Sequence, residues 1–431
     1  MKKILPFCVL VFIHLATFTF AVAQWNLQES GTTKHLYSIQ FVNINTGFAA
    51  GSNGTILKSV NSGINWTGQN SSTQNDLYSV YFVNENTGWA AGFSGTVVKT
   101  TNGGAVWLTQ ATLTALIWSV HFYNANTGWI AGAGLETVSI ILKTTNGGNN
   151  WENQLTSTGG TSRLSSIYFT DQNTGWAVGT GNNSLNGIIL KTTNSGAIWV
   201  NQLTSSGHNY FSIYFINQNT GWVVGADGVT LKTTNGGSNW FSQTSITGYS
   251  LYSVKFDDVN TGWAAGFGSG YGGGVIIKTT NSGTNWSYPV SNTSNSLRSI
   301  NFINSNTGWT AGFNGTILKT VNGGTISISP IGDLIPEKYY LYQNYPNPFN
   351  YSTKILFDIK PPDINPHQDA DKVVLKVFDS YGREIATLVK ESLKPGKYAV
   401  TFDGMKLSTG VYFYQIKIGN IIQTRRMVLI K

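Results

Sequence analysis

Ordinary glycoside hydrolysis needs two carboxyl groups roughly 5–10 Å apart around the scissile bond. Over residues 24–335 the acids are Glu29, Asp76, Glu85, Glu136, Glu152, Asp171, Asp227, Asp257, Asp258 and Asp333, scattered through the segment, and only Asp257 and Asp258 adjoin. That pair precedes Asn260-Thr261-Gly262, where it reads as a solvated turn that at most holds a weak calcium ion. His35, His121 and His208 lie far apart without metal-ligand spacing. The single cysteine, Cys8, sits in the leader, and no Gly-Lys-Ser/Thr phosphate loop occurs. No catalytic set and no cofactor or metal site is therefore expected, and the chain reads as a binding protein.

Charge points the same way. Of 431 residues only 11% are charged while 13% are aromatic, and the formal charge is +8. Residues 24–335 carry 11 basic and 10 acidic groups, and residues 336–431 carry 14 and 9. With no Lys/Arg-rich run, a nucleic-acid partner is not expected. Lys2 and Lys3 open an apolar run over 4–22 that ends in Ala21-Val22-Ala23, the pattern of an export leader cut between Ala23 and Gln24. A mature chain starting there has no cysteine for a disulfide. It also has no apolar stretch near the ~20 residues that span a bilayer.

The elements that carry these residues repeat. Thr-Gly followed by Trp or Phe begins at Thr46, Thr87, Thr127, Thr174, Thr220, Thr261 and Thr307. In each copy an alternating strand precedes this string, a third strand follows, and an Asn-Gly or Asn-Ser turn leads to a fourth. Four short strands per ~40–47 residues are the pattern of a propeller blade, and blades must stack to bury their faces. Trp66, Trp107, Trp151, Trp199, Trp240 and Trp286 open six fourth strands, whereas Ser327 stands there in the seventh copy. Trp25, ahead of the first copy, supplies the missing residue. The fold expected is therefore all-β: a seven-bladed propeller closed by an N-terminal strand, which removes exposed edges.

Thr144-Thr145-Asn146-Gly147-Gly148-Asn149-Asn150-Trp151 resembles the Asp-box hairpin, with Asn61, Asn102, Asn146, Asn194, Asn235, Asn281 and Asn322 in the Asp position. In that family the box is a structural turn remote from the catalytic face. A sialidase site, as the resemblance would have it, needs three arginines; this segment has only Arg163 and Arg298. With its Asn-Thr-Gly-Trp and Lys-Thr-Thr-Asn-Gly-Gly strings the whole repeat, about 25–327, is similar to the photosystem II assembly and stability factor family. That likeness bears on fold more than activity.

Two repeat positions read as structural. Ser38, Ser79, Ser119, Ser166, Ser212, Ser253 and Ser299 predict one hydrogen bond per blade. Lys58, Lys99, Lys143, Lys191, Lys232, Lys278 and Lys319 form a ring of cations that could instead attract anions. Binding is expected on the other face, where the long copies gain 134–139, 156–163, 181–187 and 268–274. The residues before the repeat serines include Tyr37, Tyr78, Trp118, Phe211, Tyr252 and Arg298, and Arg163 lies beside them. If the first strands line the channel, these seven form the ligand-binding mouth, able to stack on sugar or aromatic rings.

Composition changes after Ser329, and eight of the ten prolines follow. Strands predicted at 353–359, 372–379, 384–389, 396–402, 410–418 and 421–430 suggest a small Ig-like β-sandwich. Leu341-Tyr342-Gln343-Asn344-Tyr345-Pro346-Asn347-Pro348-Phe349-Asn350, Val377-Phe378-Asp379-Ser380-Tyr381-Gly382-Arg383-Glu384 and the run from Ser408 to Leu429 resemble the type A sorting domain of the type IX (Por) secretion system. Tyr351 replaces a proline common there. The resemblance implies passage through the periplasm and the outer-membrane translocon of a Gram-negative, Bacteroidota-like cell, with later removal of the domain. The organisation expected is leader 1–23, propeller 24–329, linker 330–340 and sorting domain 341–431. The protein expected is a secreted or surface-displayed monomer that binds a glycan or protein. The alternatives are a carbohydrate-active hydrolase with an atypical site on the long-loop face, or an envelope assembly factor.

Overall fold

The computed structural model describes residues 25–431 apart from 135–137, 156–160, 182–185, 244–248, 269–272, 288–290, 292, 325–335, 351, 362–370 and 405–406. The leader with Ala23 and Gln24, Glu136, Asp333 and most of the predicted linker thus lie outside the described residues. The chain forms two compact units, one spanning Ala23–Ile326 and one containing Ser327–Lys431.

The first unit consists of seven antiparallel sheets, six four-stranded and one three-stranded. Their innermost strands are Leu36–Phe41, Leu77–Phe82, Ala115–Phe122, Thr161–Phe169, Tyr210–Phe215, Ser250–Phe256 and Leu297–Phe302, each touching the next, and the seventh touches the first. Asn26–Gln28 pairs antiparallel with Ile317–Thr320, with Asn26 opposite Lys319, so the chain's beginning completes the last sheet. In the sixth sheet a lone bridge between Lys278 and Ser287 stands where the fourth strand would be.

The repeat residues explain the stacking. At the end of each inner strand a phenylalanine lies flat on the ring after the Thr-Gly pair of the preceding blade, at 3.5–3.7 Å between centroids, for example Trp89 on Phe122 and Trp309 on Phe41. The fourth-strand tryptophan then meets the same phenylalanine edge-on, and Trp25 does so on Phe302 at 5.7 Å. Each such pair adds about 0.5–1.5 kcal/mol beyond area burial. Glycine precedes the indole because the phenylalanine covers its Cα; a Cβ on Gly88 would lie 2.5 Å from the Phe82 ring.

Hydrogen bonds join the same neighbours. The backbone N–H one residue past each repeat serine donates to the serine Oγ of the preceding blade, from Val80 to Ser38 around to Ile39 and Ser299. Indole Nε1 of Trp89, Trp129, Trp176, Trp222, Trp263 and Trp309 donates to a carbonyl in the next blade's Asp-box turn. Phe48 has no such donor, and Lys58 Nζ reaches the corresponding Gly103 carbonyl at 2.7 Å instead. Inside each box Asn Oδ1 accepts from the preceding Ser or Thr hydroxyl. In six boxes it also accepts the N–H four residues on.

The second unit has two sheets. One orders Tyr340–Leu341, Ser352–Ile359 and Gly396–Asp403; the other orders Glu384–Leu393, Asp371–Phe378, Gly410–Ile418 and Ile421–Leu429. The Asn-Tyr-Pro-Asn-Pro-Phe motif, between the first two strands of the first sheet, is tied to the chain's last two strands. Asn344 N–H donates to Tyr414 Oη at 2.7 Å, Val428 N–H to Asn347 Oδ1 at 2.9 Å, and buried Phe349 exchanges backbone bonds with Val428 and Ile430.

Trp25 is 1% exposed while Leu27, two residues on, is 71% exposed. Trp25→Ala is therefore expected to cost about 3–5 kcal/mol and Leu27→Ala within about 0.5 kcal/mol. Denaturant unfolding of the chain without its leader checks both. Equal, small effects would mean that the N-terminal strand does not hold the last blade.

Candidate functional site

Each innermost strand bulges at the residue before the repeat serine, which is left out of the pairing with the second strand and re-aimed by the bulge. Tyr37, Tyr78, Trp118, Ser165, Phe211, Tyr252 and Arg298 occupy that position, and with Arg163 and Phe313 they line a cavity of ≈ 510 Å³. All seven side chains expected at the mouth thus share one cavity. Such a volume lies within the ~300–1,000 Å³ range of small-molecule sites.

The side chains lean on one another around the rim. Tyr78 stacks on Trp118 at 4.4 Å and 18°, and the Arg163 guanidinium lies 5.2 Å from the same indole centroid. Tyr37 tilts against Tyr78 at 5.2 Å and meets Phe313 edge-on at 6.3 Å. Arg298 is held between Tyr252 and Phe313, 3.9 and 4.5 Å from their centroids, and Phe211 stacks on Tyr252 at 5.3 Å. Ring faces expected to be open to a sugar are therefore largely covered by neighbours. What the wall presents is ring edges, hydroxyls and guanidinium nitrogens.

Phe313 comes from the turn Phe313–Gly315 between two strands of the last blade, where His35 stacks on it at 4.2 Å. Sequence reasoning followed the inner-strand position and so missed it; its place on a turn of the mouth face was the available signal. Ser165 stood in the same register but carried no distinguishing chemistry.

The lining holds two cations and no acid. Nearest is Asp76, whose carboxylate accepts from Asn53 N–H at 2.8 Å and from the Tyr37 hydroxyl at 3.4 Å. Burial, then the Asp76 charge, pushes the Tyr37 hydroxyl up to about 12. Burial likewise raises Tyr78 and pulls the Arg163 guanidinium below its ordinary value. Arg163 Nε, Arg298 Nε, Ser165 Oγ and Trp118 Nε1 are buried and find no hydrogen-bond partner within the protein.

Two residues past the repeat serines stand Tyr81, His121, Tyr168 and Tyr214, at 4.8–5.1 Å from ring to ring, with Lys255 4.4 Å from the Tyr214 centroid. Burial holds His121 neutral, down to about 3. The ring of repeat lysines is engaged structurally. Each Nζ lies 5.2–5.8 Å from the aromatic centroid of its own blade. Lys143, Lys232 and Lys319 also donate to a serine of the next turn. Each ammonium is held against its own blade, as the structural reading of these lysines expects.

The scattered acids are occupied locally. Asp171 and Asp258 each accept two backbone N–H groups in the turn before Thr-Gly, as Asn43, Asn84, Asn124, Asn217 and Asn304 do in other copies. Glu85 accepts from Asn43, and Asp227 occupies a turn at φ +54°, like Asn53 and Asn314. Among the described residues no three His, Cys, Asp or Glu side chains gather as a metal site would require, and no helix is long and apolar enough to cross a membrane.

Fold and motif together define a class: a repeat propeller of Asp-box type joined to a β-sandwich secretion tag. The chain belongs to the photosynthesis system II assembly factor YCF48 family, whose model matches residues 18–109, 64–159 and 154–245, and it carries a secretion system C-terminal sorting domain at 343–431. Among solved structures it is similar to YCF48 from Cyanidioschyzon merolae, with 20% identity, 69% of this chain and 98% of that one covered, and a TM-score of 0.56. YCF48 bound to D1 peptide matches with 17% identity, 70% and 98% coverage and a TM-score of 0.57. An ancestral GH74 enzyme matches with 13% identity, 94% and 64% coverage and a TM-score of 0.55. At these identities the likeness is one of fold. No curated protein matches the chain significantly by sequence.

A phenol that keeps its proton to about 12 in the folded chain and to 10 when unfolded contributes stability that is complete below pH 10 and lost as pH rises toward 12. The phenolate absorbance difference between wild type and Tyr37→Phe is expected to titrate near 12 and to move down in Asp76→Asn. A Tyr37 titration near 10 in both backgrounds would contradict this environment.

Proposed function

We propose that this is an exported, non-catalytic binding protein that takes a glycan or protein ligand at the channel mouth. The observation that carries the reading is the cavity itself: nine side chains from the inner strands and one turn, eight of them aromatic or cationic groups able to stack or hydrogen-bond, drawn from all seven sheets. The seven-blade scaffold holds these residues rigidly, as a recognition site requires.

The C-terminal domain supports delivery to the cell surface or the medium, with the type IX machinery as its partner through residues 341–431. In this organisation the leader is removed after Ala23, residues 24–329 are the cargo, 330–340 connect, and the cargo acts as a monomer. Asp76, Glu85, Asp171, Asp227 and Asp258, held in turns or by neighbours, favour binding over hydrolysis.

The test offers the leaderless chain a panel of immobilised polysaccharides and surface proteins, with retention and released reducing ends scored together. Retention without release, weakened at least tenfold by Trp118→Ala, is the expected outcome. Reducing ends that disappear in Glu136→Gln would make the protein a hydrolase. Retention unchanged by Trp118→Ala would place the ligand elsewhere.

A further inference from the structure

The mouth's donor and acceptor inventory is lopsided. Arg163, Arg298 and Trp118 can only donate, Phe211 and Phe313 do neither, and Ser165 with the three tyrosine hydroxyls can do both. Tyr37 already directs its hydroxyl to Asp76. The ring edges that remain open carry the positive side of the aromatic quadrupole. Cations, N–H donors and positive edges together favour a ligand rich in acceptors and negatively charged.

The donors are concentrated at one junction. Trp118 lies on the third inner strand, and Arg163 and Ser165 lie two residues apart on the fourth. All three side chains line the same cavity, while their Nε1, Nε and Oγ atoms are covered from solvent and have no partner within the protein. Stacking of Arg163 on Trp118 keeps the guanidinium in place without neutralising it. Among the described residues neither mouth arginine forms an ion pair with an acid. Arg298, three blades away in the seventh, adds a second cation to the wall.

Resting on the reading of the mouth as the ligand site, we infer that it takes a carboxylated sugar residue, a hexuronate, whose carboxylate is seated by Trp118, Arg163 and Ser165. The carboxylate supplies acceptors for all three donors, and charge-assisted bonds of this kind are the strong ones. The sugar hydroxyls both donate and accept, so they suit the tyrosine hydroxyls. A peptide fits the wall less well. Its amide N–H groups need acceptors, and the inner-strand backbone is committed to strand ladders and to the serine bonds between blades.

Isothermal titration calorimetry of the leaderless full chain tests this with three probes: trigalacturonate, neutral galactotriose and an acidic hexapeptide. Trigalacturonate is expected to bind at least tenfold more tightly than galactotriose, with an advantage that shrinks as salt rises. Arg163→Gln and Ser165→Ala should each remove most of that advantage, Arg163→Lys less of it, and near-ultraviolet circular dichroism reports whether each variant is folded. If the two sugars bind equally, through Trp118 and without Arg163, the mouth reading stands and the carboxylate seat is wrong. Tighter binding of the hexapeptide overturns the sugar assignment, and failure of all three probes in a folded chain overturns the hexuronate while leaving the wider ligand panel to judge the mouth.

Discussion

A phenylalanine at the end of each inner strand lies flat on the indole, or at one junction the Phe48 ring, of the blade before it. A lone four-stranded sheet has two faces to cover and too little chain to cover them. Repeating one aromatic contact seven times covers both faces of every sheet at once. The other repeat residues serve that contact. Glycine makes room for the ring, the fourth-strand tryptophan closes its edge, the Asp-box turn receives the indole N–H, and lysine lies across the outer face. Where Phe48 lacks the N–H, Lys58 supplies the bond to Gly103, so the turn is held at that junction too.

Because this contact is made at the wall, the residue before each repeat serine is free of it. Tyrosine, tryptophan, serine, phenylalanine and arginine all occur there among otherwise near-identical strands. Variation on a fixed frame gives the mouth its asymmetry, with donors gathered at the third and fourth blades and a second arginine at the seventh.

Much of the fold was legible because the constraint is periodic. Thr-Gly-Trp, or Thr-Gly-Phe in the first copy, marked each second strand, the tryptophan missing after Asn322 pointed to Trp25, and the recurring serine marked the position beside which the mouth residues stand. What escaped depends on side-chain direction. That Tyr78 covers Trp118, or that Arg298 lies between Tyr252 and Phe313, follows from rotamers and not from spacing, so the rings read as open faces. Phe313 escaped because a turn, not a strand, delivers it. The repeat lysines read as structural, but their partners, an aromatic of their own blade and a turn of the next, become neighbours only once the strands are assembled.

The pairing of Asn26–Gln28 with Ile317–Thr320 also has a kinetic side. Its partners are nearly 300 residues apart, a contact of very high order in a chain whose other sheets are built from neighbours. Bringing the two ends together is entropically dearer than any hairpin, though only logarithmically so, and long-range pairing slows folding. Blades can form and stack as the chain emerges, but the ring locks only when its last third strand and its first residues are both free. Until then the last sheet is one strand short, with an unpaired edge at Ile317–Thr320. A chain whose leading end is still held therefore carries one raw sheet edge that only its own first residues can cover.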